Sequence, residues 1–126
     1  MTILVACNAS AHGQAALRTA LEEATRKALP LAVLVLNPGD VVPPELADVV
    51  AEHPSQVDVS WRFRPASTDP ADAILDAADE LSATLIVLGS RKRSSMGTFV
   101  MGTTTQRVLL DALAPVLVVK DAYERL

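Results

Sequence analysis

Thr2 to Cys7, Leu31 to Leu36, Leu85 to Leu88 and Val116 to Val119 are short, almost uninterrupted apolar runs, rich in β-branched residues. Such runs predict strands covered on both faces, as in a parallel sheet between helices. The stretch Val57 to Phe63 differs, because Val57, Val59, Trp61 and Phe63 alternate with Asp58, Ser60 and Arg62. That alternation predicts a strand with one wet face at a sheet edge.

The intervening segments carry helical spacing. Ala16, Leu17, Ala20, Leu21 and Ala24 recur on one face, with Arg18, Glu22, Glu23, Arg26 and Lys27 filling much of the other, and Pro30 closes the segment. Pro44 to Glu52 predicts a short helix. Asp69-Pro70-Ala71-Asp72 is a start signal: Asp caps free N–H groups, and Pro at the first helical position loses no needed donor. That helix continues through Ile74, Ala77, Ala78 and Leu81. Gly102-Thr103-Thr104-Thr105 opens the last one, with Val108, Leu109 and Ala112 as its apolar positions, and Pro115 precedes the final strand.

Strands and helices therefore alternate, which predicts a doubly wound α/β sheet with right-handed crossovers. In that architecture ligands bind beyond the carboxyl ends of the strands, where the strand order reverses. The 126 residues carry no internal repeat, linker or low-complexity tract, and their length predicts a single domain over 1–126.

Composition narrows the picture. Half of the residues are hydrophobic but only 3% are aromatic, so the core is aliphatic and stacked-ring platforms for single-stranded nucleic acid are disfavoured. Eleven basic against fifteen acidic residues give no electrostatic reason to seek nucleic acid or an anionic membrane. Cys7 is the only cysteine, which excludes an intramolecular disulfide and a multi-cysteine metal site. With no basic n-region and no apolar stretch of membrane-spanning length, a soluble cytoplasmic protein is expected.

The candidate chemistry lies at the strand ends. Cys7 reads as a small buried residue, Ser10 as a helix N-cap and His12 as a surface imidazole near the cleft; His12 and His53 do not make a metal site. The segment from Gly89 to Gly102 is too long for an ordinary connection, which usually takes about 2–6 residues. It holds Arg91, Lys92 and Arg93, several hydroxyls and glycines, and it delivers Gly102 and Thr103 to a helix N-terminus. Free N–H groups, the helix dipole and a glycine that permits close approach suit a phosphate. The same residues also fit a plain helix cap beside a solvated basic turn.

Gly89 to Thr105 resembles the phosphate-binding signature of the universal stress protein family, G-x2-G-x9-G-[ST]. Gly89 matches its first glycine, Gly102 and Thr103 its last pair, and Lys92 occupies the place of the second glycine. Ile3 to Ser10, Asp69 to Ile74, Leu85 to Arg91, Gln106 to Leu109 and Ala114 to Val119 resemble further family segments, so the likeness covers nearly the whole chain.

The resemblance implies an open five-stranded parallel sheet of order 3-2-1-4-5, Rossmann-like and of the adenine nucleotide alpha hydrolase kind. It also implies an adenine nucleotide, ATP before ADP or AMP, between the ends of strands 1 and 4, with magnesium left open. Asn8, Val35, Gly89, Arg91, Lys92, Gly102, Thr103 and Thr104 are the expected contacts, although Val35 read by itself is core. Asn8 and Ala9 stand where ATP-binding members usually carry Asp and Gly. Lys92 is strained if its backbone needs positive φ, and useful if its ammonium pairs with phosphate.

No residue set supplies a general base and a hydrolytic centre, so a regulatory binding protein is expected, with weak ATP hydrolysis at most. The resemblance further implies a homodimer through the last strand, with Val116 and Val118 at the contact. The competing expectation is a family member that binds no nucleotide and acts as a dimeric interaction module.

Overall fold

The uninterrupted apolar runs form the centre of a parallel sheet. In the computed structural model, residues 1–54, 56–90, 92–93, 99–100 and 102–120 are described, those at 92–93 and 99–100 through their backbone. The elements are β1 (Thr2–Cys7), α1 (Ala11–Lys27), β2 (Leu31–Val35), α2 (Pro44–Glu52), β3 (Val59–Phe63), α3 (Pro70–Leu81), β4 (Ala83–Gly89), β5 (Lys92–Arg93), β6 (Phe99–Val100), α4 (Thr103–Asp111) and β7 (Val116–Val119). The five-stranded sheet runs β3-β2-β1-β4-β7, all parallel, which is the expected order 3-2-1-4-5. The long connection after β4 carries its own antiparallel pair, Lys92 opposite Val100 and Arg93 opposite Phe99.

Alternation along each buried strand divides the core into two layers. Ile3, Val5 and Cys7 of β1, Leu31, Val33 and Val35 of β2, and Leu85 and Val87 of β4 join Leu17 and Leu21 of α1 and Leu46 of α2. Leu4, Ala6, Ala32, Leu34, Ile86 and Leu88 face the other way, onto Ile74 and Ala77 of α3 and Val108 of α4. Full burial of a Leu or Ile stabilises by about 1.5–3 kcal/mol, so these aliphatic layers replace the missing aromatic rings. At the edge, β3 turns Val59, Trp61 and Phe63 toward the first layer, while Ser60 is exposed and Arg62 pairs with Glu80 at 2.8 Å.

Local signals set most helix starts. Ser10 caps α1 by accepting from the Gly13 N–H, and the Asp69 carboxylate caps α3 by accepting from Ala71 and Asp72. The exit of α1 departs from the usual glycine: Ala28 takes the left-handed conformation at φ 55°, as does Ser82 after α3 at φ 50°. The pattern for α4 needs a correction. Thr105 and Val108 form its buried face, whereas Leu109 is 38% exposed, because a nine-residue helix offers the sheet only about two turns.

Candidate functional site

β1 and β2 end level, with Cys7 opposite Val35, and β4 runs on until Gly89 lies opposite Val119 of β7. The chain leaves β1 toward the face covered by α1 and leaves β4 toward the face packed by Val108 of α4. Neighbouring strands whose connections diverge in this way open a crevice between them. A cavity of about 220 Å³ occupies it. Ala6, Cys7 and Asn8 line it from the end of β1, His12 and Gly13 from α1, Leu36 from beyond β2, and Pro70 and Ile74 from α3. Leu88 and Gly89 of β4 and Thr104 and Thr105 of α4 complete the wall. A larger hollow of about 500 Å³ adjoins Ala28, Pro30 and Asp58, but it opens at the amino ends of β2 and β3, away from the crevice.

Asn8, Gly89 and Thr104 thus come together from three elements far apart in sequence. Gly102 sits at the N-cap of α4, which no side chain of the described residues caps, and the first helical bond there runs from the Gln106 N–H to the Gly102 carbonyl at 3.0 Å. The N–H groups of Thr103, Thr104 and Thr105 precede that bond and belong to the unsatisfied start of the helix. Thr103 itself is exposed and does not line the cavity. Val35 is fully buried in the layer under α1, and the next residue, Leu36, reaches the wall instead.

Lys92 lies in the extended backbone of β5, and among the described non-glycine residues only Ala28 and Ser82 have positive φ. The strain considered for Lys92 is therefore not imposed by its backbone. Arg91 lies outside the described residues.

The glycines differ in what they do. A Cβ on Gly89 would come within 2.5 Å of the His12 carbonyl oxygen, so this glycine lets β4 end against the first turn of α1. A Cβ on Gly13 would come within 1.9 Å of the Asn8 carbonyl oxygen, and Gly13 likewise lets α1 close onto the turn that carries Asn8. Gly102, at φ −73°, would bring its Cβ within 4 Å of no atom of the described residues, so those residues give no reason for a glycine there.

Gly13, Leu36 and Thr105 were not expected at the site, and His12 is half-buried in its wall rather than a free surface group. A signal existed for Gly13: glycine in a helical turn costs about 1 kcal/mol against alanine, and its presence marks a close approach.

The electrostatics of the wall are mild. Burial pushes the Cys7 thiol up to about 12, so it is a neutral apolar group at neutral pH. Arg107 of α4 is held first by Asp72, then by Asp69 and Asp111, which raise its pKa, and the pairs with Asp72 and Asp69 tie α4 to the start of α3. Among the described residues no carboxylate lines the cavity, and no group of three His, Cys, Asp or Glu among them could hold a metal ion. The described residues therefore supply no fitting ligand set for magnesium.

Fold and crevice define a doubly wound, Rossmann-like α/β protein with a candidate ligand site at the switch point of its sheet. The profile of the Universal stress protein family matches residues 44–120. A universal stress protein of Mycolicibacterium smegmatis is 34% identical over 126 residues, 94% of this chain and 96% of that protein. The chain belongs to the universal stress protein family.

Among solved structures, the universal stress protein of Archaeoglobus fulgidus in complex with dAMP is 27% identical and covers 95% of this chain and 98% of its own, with a TM-score of 0.69. A universal stress protein in complex with cAMP shares the fold at 22% identity, with a TM-score of 0.78 over 97% of this chain and 98% of that one.

Proposed function

We propose that this universal stress protein binds an adenine nucleotide, ATP first among the candidates, between β1 and β4 and works in the cytoplasm as a regulatory binding protein rather than an efficient catalyst. The observation that carries the reading is the convergence of Asn8, Gly89 and Thr104 on one cavity beside the open start of α4. The dAMP complex of the Archaeoglobus fulgidus relative supports it. At about 220 Å³ the cavity is smaller than the ~300–1,000 Å³ of common ligand sites, which suits a nucleoside portion inside and phosphates outside, over Gly102 and Thr103. In this reading Arg91 and Lys92 supply positive charge from the long connection.

Denaturing the natively purified protein and analysing what it releases by mass spectrometry tests the reading. ATP, ADP or AMP in substantial proportion to protein is the expected result. No released nucleotide, together with no ATP binding by calorimetry at millimolar ligand, would sink it. Because the Lys92 backbone needs no glycine, Lys92→Gly is expected to weaken ATP binding; tighter binding would show the side chain to be an obstruction.

The second reading, an interaction module acting through a dimer, is favoured by a separate observation. The edge strand β7 is wholly aliphatic, and Leu110 and Leu113 near it are 81% and 94% exposed. An unpaired aliphatic edge invites strand pairing, and self-association through Val116 and Val118 would cover it.

A further inference from the structure

The starts of α3 and α4 meet at one carboxylate oxygen. Asp69 Oδ2 caps α3, accepting from the Ala71 N–H at 3.0 Å and from the Asp72 N–H at 3.4 Å, and the same atom accepts from Nη1 of Arg107 in α4 at 3.3 Å. Nη2 of Arg107 donates to Asp72 Oδ1, and Nε lies 3.6 Å from Asp111 Oδ2. Every nitrogen of the guanidinium therefore faces a carboxylate. The planar fork is what lets one side chain reach Asp69 and Asp72 through separate N–H groups.

Both ends of this clamp adjoin the crevice. Pro70, which follows Asp69 in sequence, and Ile74 belong to its α3 wall; Thr104, one helical turn before Arg107, and Thr105 belong to its α4 wall. α4 has few other holds. It runs nine residues, no side chain of the described residues caps its start, and only Thr105 and Val108 are buried. A helix of this length is not stable by itself, so its place depends on what it packs against. Val108 shares the apolar layer beneath with Ile74, and the Arg107 clamp adds a second tie between the same two helices.

We infer that Arg107 is a positioning residue of the site: by clamping α4 to the start of α3 it fixes the separation of two crevice walls and the aim of the N–H groups that open α4, without touching the ligand. The inference rests on the nucleotide reading above and deepens it. A cation one turn into α4 invites assignment as a phosphate contact, but three carboxylates already take its nitrogens. Arg107 and its partners are each about half exposed, and exposed ion pairs contribute little to global stability. The effect of the clamp therefore falls on where α4 sits rather than on whether the domain folds.

The test is Arg107→Met, which keeps the apolar stem and removes the fork. Amide hydrogen exchange read by NMR is expected to quicken by about threefold or more at Gln106 and the amides that follow it in α4, while the amides of β1 and β4 change less. Unchanged exchange in α4 overturns the inference, and so does an equal rise in helix and strands, which reports only a lower global stability.

Calorimetric titration with ATP and with uncharged adenosine reads the link to the ligand. Arg107→Met is expected to weaken both by a similar factor, about three- to fivefold. Adenosine carries no phosphate, so a loss confined to ATP would make Arg107 a phosphate contact and overturn the positioning role, as would undiminished affinity for both. In an Asp72→Asn background the effect of Arg107→Met on adenosine binding is expected to shrink; an effect of full size would show that Arg107 does not act through Asp72. Failure of wild type to bind ATP at millimolar concentration overturns the nucleotide reading and Arg107's part in it, even where α4 exchanges as expected.

Discussion

Of three glycines near one cavity, Gly13 and Gly89 permit close backbone approach and Gly102 does not, and the difference is measurable. Gly89→Ala forces a Cβ against the His12 carbonyl, a backbone group that cannot swing aside, and is expected to destabilise by about 1–3 kcal/mol in urea unfolding. Gly102→Ala meets no atom of the described residues at an ordinary φ, so its stability is expected to stay within about 0.5 kcal/mol of wild type. If phosphates lie over Gly102, the same substitution weakens ATP binding in calorimetry, and undiminished affinity would remove Gly102 from the contacts.

Cys7 gives a pH prediction. Burial raises its thiol from 9.0 to about 12, so the folded protein holds a proton that the unfolded chain releases first. The stability this group contributes is intact below about pH 9 and is lost as pH rises toward 12. Urea unfolding across that range is expected to show a decline that Cys7→Ala reduces; parallel curves would refute the assignment.

At the scale of elements, the caps show how far local chemistry reaches. Ser10, and Asp69 with Pro70, read as helix starts from sequence and act as such, because capping requires only neighbours along the chain. The exits were less legible. Ala28 and Ser82 carry no sign of a left-handed residue, yet they adopt one where α1 and α3 must turn back into the sheet. Relief of that conformation predicts that Ala28→Gly raises stability by about 0.5–1 kcal/mol, the left-handed cost less the extra freedom glycine gives the unfolded chain. A lower thermal midpoint for Ala28→Gly would contradict this. For α4, Leu109 fits the helical period but is exposed, since periodicity assigns a face without saying how much of it the neighbours cover.

At the scale of the whole molecule, the two sheet edges differ. β3 is marked against pairing by Ser60 and by Arg62 in its pair with Glu80, whereas β7 has only Val and Leu along its length. If β7 forms a subunit contact, Val118→Asp is expected to give a monomer by light scattering where wild type gives a dimer. A dimer that survives the substitution would place any contact elsewhere. Leu110 and Leu113, which precede β7 in the chain, are exposed as well.

The sequence by itself determined the kinds of element, most of their limits and the aliphatic character of the core, because alternation, capping and apolar runs act over a few residues. It also carried the family likeness through Gly89, Gly102 and Thr103, which keep their spacing along the chain. Only the tertiary structure decided which residues share a cavity. Placing β1 beside β4 brings Asn8 to Thr104, and the alternation of β2 in its parallel register turns Val35 inward and leaves Leu36 at the wall. Strand order and the divergence of two crossovers are long-range choices, set by how whole faces pack, and no local pattern encodes them.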